Sequence, residues 1–491
     1  MTGLHRIAHP AGLPIGEKWV PAPSTTEVRF PFSGELVAEA PVGSSELATQ
    51  AVSYAAGLRE LAAALPSHVR RAALTEAHRE LAERRDEFEQ LLVLETGKPL
   101  VDCRVEVDRT LLTLTTAAEE VARLHGETVP LDLLPSGEGL LGFWVRRPVG
   151  VVVGIAGYNY PLLLASHKLA PALAAGCPVV VKPAPQTPLA TLWLVDLVRE
   201  ALAAAGAPRG LVQLLTGGVD VGVALTTDRR VGAVSFTGSA AVGHQIARDA
   251  APTKVLLELG SNSALVVAED ADVAAAADAV VRGGYYASGQ ACISVQRVIV
   301  VEAVRDAFLD ALSARLGDVV VGDPRSPETR VSALIDERST ERVRTWVEAA
   351  VRAGATLVRG GAVREGVMEP TVLLDVPDGQ LAWDEEIFGP VVAVRSVGSA
   401  DEAFDVVNRS RYGLHASVFT ASLDTAFRAI DRIETGGVVV NEVPGFRSDV
   451  MPYGGVKDSG VGREGPRFAI EELTVTRMAI IRPSTGARSR P

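Results

Sequence analysis

Three cysteines occur in the 491 residues, at 103, 177 and 292, and one of them has the surroundings of a reactive thiol. Cys292 stands in the run ASGQACIS. A lone cysteine is ordinarily a small core residue, but Ser288, Gly289, Gln290 and Ser294 are small or polar, which is unusual around a core thiol. Glu258 lies in the apolar run VLLELGSNS. A buried carboxylate is costly unless it is paired or used. It reads either as half of a salt bridge or as a general base whose pKa burial has raised. Asn159, in AGYNYP, follows a strand-like run. Ligands bind at strand carboxyl ends in open α/β sheets, so its amide is either a turn device or a donor to a developing oxyanion. Gly238 to Gly243 reads GSAAVG directly after VSF. Glycines there let backbone approach a phosphate at a helix start. The run is not the GxGxxG fingerprint, and a plain strand–turn–helix explains it equally well.

These residues need a frame, and the hydrophobic pattern supplies one. Short, apolar, β-branched runs at Val149–Ala156, Pro178–Lys182, Leu211–Leu215 and Ala233–Phe236 alternate with helical stretches such as Pro188–Ala205. That is the pattern of a parallel, doubly wound sheet. A second series starts near Leu256 and runs to about Val440, with strands expected at Arg297–Val301, Thr356–Arg359, Val391–Val397 and Val438–Asn441. Leu473–Ile481 reads as a further strand. Upstream, Ser45–Leu65 and His68–Glu95 read as amphipathic helices, and Gly97-Lys98-Pro99 stops the second. A third helix runs to about Leu124. Gly126–Val149 reads as two strands leaving the main body. The first forty residues show few periodic apolar runs and are expected to wrap the surface. No internal repeat or low-complexity segment appears.

The length implies two or three domains. A chain that is 47% hydrophobic and 22% charged fits a soluble α/β protein and not a disordered one. The net charge is −12 with no basic run, which speaks against a nucleic-acid binder. An odd cysteine count without metal-ligand spacing supports neither a disulfide framework nor a metal site, so a reducing cytoplasm is the expected compartment. The N-terminus lacks the apolar core of a secretory leader. Pro161–Val181 is apolar enough to raise a membrane span, but His167, Lys168, Pro171, Gly176 and Pro178 interrupt it. It reads as a buried helix followed by a buried strand, and no membrane partner is expected.

Taken together, these motifs resemble the aldehyde dehydrogenase superfamily from about Glu35 to Ile481. The order and spacing match at Asn159-Tyr160-Pro161, at Lys168 followed by PALAAG, at Lys182-Pro183 and at Phe236-Thr237-Gly238-Ser239. They match again at Glu258-Leu259-Gly260, Gly289-Gln290-Ala291-Cys292, Glu385-Glu386-Ile387-Phe388-Gly389-Pro390 and PYGGVKDSGVGREG, Pro452 to Gly465. The resemblance implies an α/β protein with a Rossmann-like cofactor domain (residues 1–123 and 147–258) and an α/β catalytic domain (259–437). It also implies a segment, 438–465, that returns to the cofactor domain and closes the site. A small β oligomerisation arm (124–146 and 466–491) should join a homodimer or homotetramer.

The same resemblance implies roles. Cys292 is the nucleophile, and Asn159 with the backbone N–H of Cys292 forms the oxyanion hole. Glu258 activates the water that hydrolyses a thioester, and Lys168 with Glu464 relays a proton from it. Lys182 meets the adenosine ribose of NAD or NADP and Ser239 the pyrophosphate. Glu386 holds the nicotinamide ribose, with Phe388 packed nearby. Gly222, Gly238 and Leu259 complete the implied cofactor contacts. Two departures stand out. Pro185 replaces the glutamate that usually favours NAD, so NADP should be accepted, and the usual ELGGK is here Glu258-Leu259-Gly260-Ser261-Asn262.

The stretch before PYGG contains Phe446-Arg447-Ser448-Asp449-Val450-Met451, which places Arg447 near the pocket mouth. Arg109, on the third long helix, is a second candidate. This stretch and the sequence around Cys292 are similar to branches acting on small aldehydes such as lactaldehyde, glyceraldehyde phosphate and phosphonoaldehydes. Either Arg447 pairs with Asp449 at the surface, or it faces the pocket and suits a small anionic aldehyde. Two other readings are a coenzyme A-acylating relative, which usually lacks the glutamate present here as Glu258, and a retired enzyme serving as a crystallin-like protein.

Overall fold

The structure, a computed structural model, describes residues 11–483. The leader-free reading of the first ten residues and the last eight residues of the expected arm lie outside the described residues.

Two sheets carry the architecture. In the first, six strands lie in the order Gly460–Val461, Lys254–Glu258, Val231–Thr237, Val151–Ile155, Val179–Lys182 and Val212–Leu214. All pair in parallel except Gly460–Val461, which runs antiparallel at the edge. Helices cover both faces, so Val151–Val153 and Val179–Val181 are wholly buried, which explains their unbroken β-branched runs. In the second sheet the order is Thr356–Arg359, Thr371–Leu374, Val391–Val397, Arg297–Val301, Ala264–Val267, His415–Phe419 and Gly437–Val440. A third, antiparallel sheet joins Thr474–Ile481, Leu141–Pro148 and Thr128–Val129.

Register sets the carboxyl ends of the first sheet level with one another. Ile155 pairs with Phe236 and with Lys182, and Thr237 pairs with Glu258. Asn159, Lys182, Gly238 and Glu258 therefore emerge along one edge. Pro161–Ala175 is a wholly buried helix followed by the strand Val179–Lys182, and no helix among the described residues is long and apolar enough to cross a membrane.

Three local expectations need correction. The first helical stretch breaks at Leu58 into Ser45–Gly57 and Arg59–Ala64, and the second breaks at Arg84 into Ser67–Glu83 and Arg85–Thr96. Leu58 (φ −89°, ψ −3°) bends the chain directly after Gly57, whereas Arg84 (φ −105°, ψ 18°) does so with neither glycine nor proline beside it. The third helix, Leu100–Glu120, ends in a short 3₁₀ turn. Residues 13–42 form two hairpins that bury Leu13, Ile15, Val28, Phe30 and Val37, where a surface wrap was expected. Thr356–Arg359 is an exposed antiparallel edge strand rather than a member of the parallel series.

Candidate active site

A cavity of about 610 Å³ lies over the carboxyl ends of the first sheet, and Asn159, Glu258, Cys292, Glu386, Arg447 and Tyr453 all reach it. Cys292 is half-buried while Cys103 and Cys177 are fully buried. The backbone before it is unusual. Ala287 (φ 47°), Ser288 (φ 56°) and Gly289 (φ 74°) are all left-handed, a conformation that non-glycine residues adopt only when their surroundings impose it. Those surroundings are visible. Ala287 N–H donates to Asp102 Oδ2 at 2.9 Å, and Ser288 Oγ accepts from Ser332 N at 2.9 Å. A Cβ on Gly289 would stand 2.1 Å from the Gly389 carbonyl oxygen, so only glycine fits there. The nucleophile loop is thereby keyed to the loop that carries Glu386 and Phe388.

Cys292 Sγ lies 3.3 Å from the Tyr453 hydroxyl. Burial pushes its thiol up to about 11, against the opposing contact from Tyr453, so the resting sulfur is protonated at neutral pH. Asn159 Nδ2 donates to the Gln290 carbonyl at 2.8 Å, two residues from the sulfur. Lys98, ion-paired with the buried Glu106, donates to the Asn159 carbonyl at 2.8 Å. Glu106 also accepts the N–H groups of Leu162 and Leu163, at 2.9 and 3.2 Å. It caps the helix Pro161–Ala175, the helix that presents His167 and Lys168.

Glu258 is 6% exposed, and its buried Oε2 has no hydrogen-bond partner. Burial, and then the charge of Glu464, holds its carboxyl well above the usual range. Glu464 is placed differently. It ion-pairs with Lys168, and its Oε2 lies 3.2 Å from His167 Nδ1 and 3.1 Å from Arg447 Nη2. Burial acts on Glu464 too, but Lys168, His167 and Arg447 outweigh it and hold its carboxyl well below the usual range.

Arg447 is 6% exposed at the side chain, which corrects the surface alternative. It lies between Asp449 (Nε to Oδ1, 3.3 Å) and Glu464, its guanidinium 3.7 Å from the Tyr453 ring centroid. The pairing with Asp449 is thus present, in the pocket wall. Arg109 also lines the cavity and makes a two-pronged contact with Asp449, at 2.9 and 2.8 Å.

Comparison with known proteins decides the family. The sequence model of the aldehyde dehydrogenase family matches residues 19–479. A 3-sulfolactaldehyde dehydrogenase from Priestia megaterium is 39% identical over 98% of this chain and 100% of its own. Aldehyde dehydrogenase 21 from Physcomitrella patens, solved with the reaction product succinate, superposes with a TM-score of 0.93 at 34% identity, covering 97% of this chain and 99% of that one. Glyceraldehyde-3-phosphate dehydrogenase from Methanocaldococcus jannaschii, solved with NADP, superposes with a TM-score of 0.90 at 34% identity, covering 93% and 99%.

The chain belongs to the aldehyde dehydrogenase family.

It is therefore an oxidoreductase that converts an aldehyde to a carboxylic acid. The dehydrogenase also offers groups that fit a dinucleotide. Lys182 is 6% exposed and has no carboxylate within ion-pairing distance among the described residues, and burial lowers its ammonium to about 8. Gly222 faces it: a Cβ there would stand 3.8 Å from Lys182 Cε. Ser239 precedes the helix Ala240–Ala250 without capping it through its side chain, leaving first-turn N–H groups for an anion. Gly238, Leu259 and Phe388 line the cavity beside it. One oxygen of Glu386 accepts the Ser261 N–H at 2.9 Å, which leaves the other for a hydroxyl donor, and burial pushes its carboxyl up to about 7. Lys182 and Gly222 do not line the main cavity; they lie apart from it along the sheet edge.

The departure at Ser261-Asn262 is structural in its effect. Asn262 Nδ2 donates to the carbonyls of Trp383 and Asp384, at 3.2 and 3.1 Å, which anchors the segment before Glu386. Tyr453 and His167 lie beyond the sequence reading, and Asp449 entered it only as a surface partner of Arg447. Tyr453 lies inside the PYGG motif, so a signal for it existed. For the contacts of His167 and Asp449 none did, because they join segments 282 positions apart.

Proposed function

We propose that this dehydrogenase oxidises a small polar or anionic aldehyde through Cys292, with NAD or NADP as acceptor. The observation that carries the reading is one cavity bringing together a half-buried thiol, an unpaired buried carboxylate and, among the four arginines that line it, Arg109 and Arg447.

Cys292 passes its proton to water, and the thiolate sulfur attacks the aldehyde carbon. The oxygen gathers negative charge, which the Cys292 N–H and the Asn159 amide stabilise once that amide is released from the Gln290 carbonyl. A bound NAD or NADP would supply the hydride acceptor that the passage from the Cys292 adduct to its thioester requires. Lys182, Gly222, Gly238, Ser239, Leu259, Glu386 and Phe388 would hold that cofactor. Glu258 then takes a proton from water, which attacks the thioester, and the acid leaves. Burial raises the pKa of Glu258, which makes it a stronger base for that proton transfer. Lys168 and Glu464 carry the proton away from Glu258. An intact Glu258 also favours hydrolysis over transfer to coenzyme A, and the intact trio of Asn159, Glu258 and Cys292 favours an enzyme over a structural relic.

The pocket chemistry supports the substrate class. Arg447 and Arg109 are planar forks suited to carboxylate, sulfonate or phosphate oxygens. The three relatives are named for, or solved with, sulfolactaldehyde, succinate and glyceraldehyde 3-phosphate, each a short chain ending in an acid group. The test compares kcat/KM for succinate semialdehyde and for hexanal, in wild type and Arg447→Ala. Wild type should prefer the semialdehyde, and the variant should lose about 30-fold more of it than of hexanal. A preference for hexanal, or equal losses, rejects the class.

The proposed assembly is a homodimer or homotetramer, and the proposed compartment is the cytoplasm. The strand Thr474–Ile481 exposes Val475, Met478, Ile480 and Ile481, apolar surface that a second copy would cover. Light scattering that finds a monomer rejects the assembly.

A further inference from the structure

We propose that Asp449 is a positioning residue that aligns Arg109 and Arg447 into one anion clamp; this rests on the anionic-aldehyde reading above. Asp449 is 1% exposed and does not itself line the cavity, whereas both arginines do. Its carboxylate takes three cationic or polar groups from three segments. Arg109, on the helix Leu100–Glu120, approaches with Nε on Oδ2 at 2.9 Å and Nη2 on Oδ1 at 2.8 Å. Arg447, in the return loop, brings Nε to 3.3 Å from Oδ1. His167, on the helix Pro161–Ala175, places Nε2 3.2 Å from the same oxygen.

The arrangement fixes direction as well as charge. Two guanidiniums on flexible stems repel each other, and a carboxylate between them removes that repulsion. The two-pronged contact also fixes the plane of Arg109 and uses two of its three nitrogens. Arg447 spends Nη2 on Glu464 at 3.1 Å and rests its plane on Tyr453. The Nη1 group of each arginine has no hydrogen-bond partner among the described residues. Arg109, Arg447 and Lys168 against Asp449 and Glu464 leave a surplus of one positive charge among these ion pairs. His167 braces the carboxylate from behind and also reaches Glu464 at 3.2 Å, so the clamp shares a support with the ion pair beside Glu258.

Asp449→Asn separates alignment from simple electrostatics, because the two predict opposite signs. Removing a negative charge beside an anion site should tighten anion binding if Asp449 only sets the local field. If Asp449 aligns the arginines, binding should weaken. The experiment measures steady-state kinetics of the holoenzyme with succinate semialdehyde and with butanal, a neutral aldehyde of similar length. The alignment role requires KM for the semialdehyde to rise about 30-fold with kcat within about threefold, and both constants for butanal to stay within about threefold.

Arg109→Lys keeps the charge and loses the fork, at a side chain that is 22% exposed. It should reproduce the KM effect, and adding Asp449→Asn to it should cost less than about threefold more. This second variant decides the matter should Asp449→Asn fail to fold. An unchanged or lower KM for the semialdehyde in either single variant overturns the alignment role while the anionic reading stands. A wild type that does not prefer the semialdehyde to butanal overturns both.

Discussion

Glu258 and Glu464 are two buried carboxylates in one neighbourhood, held in opposite states. Glu258 ends a strand of the first sheet with one oxygen unpartnered, and its carboxyl is pushed up. Glu464 arrives on the return loop into contact with Lys168, His167 and Arg447, and its carboxyl is pushed down. Burial opposes ionisation in both, so depth alone does not decide the outcome. Direct contact does: Glu258 has no cation in contact to oppose its burial, whereas Lys168, His167 and Arg447 touch Glu464 and hold it down.

The largest effect tests the atom that both carboxylates would serve. Cys292→Ser should lower turnover by about 10⁴-fold, because a hydroxyl is far less ionised than a thiol; near-wild-type rates in a steady-state assay would remove Cys292 from the chemistry. Glu258→Gln should cost about 10³-fold in steady-state turnover but still release a burst of about one reduced cofactor per active site. Rapid mixing that shows no burst would place Glu258 before the thioester.

The sign of the pH dependence follows from the raised pKa. Glu258 must lose its proton to act, so hydrolysis should climb with pH on a limb that lies above the usual carboxylate range. That limb should vanish in Glu258→Gln, and a persisting limb would assign it elsewhere.

Stability divides the pair the other way. Glu464→Gln leaves Lys168 and Arg447 buried without their shared carboxylate and should cost about 3–5 kcal/mol. Glu258→Gln removes an unpaired carboxylate and should cost less than about 1 kcal/mol. Denaturant melts in which the two variants fall equally would break the contrast.

The smallest effect concerns the cofactor. Pro185 offers no carboxylate beside Lys182, and the acid nearest in influence, Asp220, is exposed. NADP should therefore serve within about tenfold of NAD in kcat/KM. Parallel kinetics with NADP more than a hundredfold worse would show that another acid guards the site.

Much of the frame was legible in the sequence because its strands are buried on both faces. Runs such as Val151–Val153 and Val179–Val181 announce themselves through unbroken β-branched residues. The helix breaks at Leu58 and Arg84 were hidden because the apolar period continues across them. The hairpin Leu13–Ile15/Lys18–Val20 was hidden because three-residue strands are shorter than any usable period. Within the candidate site, residue types suggested which groups could react, but not which were paired. The burial of Arg447 and the hub at Asp449 depend on helices and loops hundreds of positions apart, a distance over which local pattern carries no signal.

The strand Gly460–Val461 pairs with Leu257 and Glu258 at the edge of the first sheet, and this has a consequence for synthesis. A chain emerging from the ribosome displays Cys292 and Glu258 long before Arg447, Tyr453, Gly460 and Glu464 exist. Until those last residues arrive, the strand bearing Glu258 has an open edge, Lys168 has no counter-ion and the cavity has no wall on that side. The reactive centre is completed only once residues 447–464 have been made, so a chain that stops short of them carries a thiol without the enclosure that would set it to work.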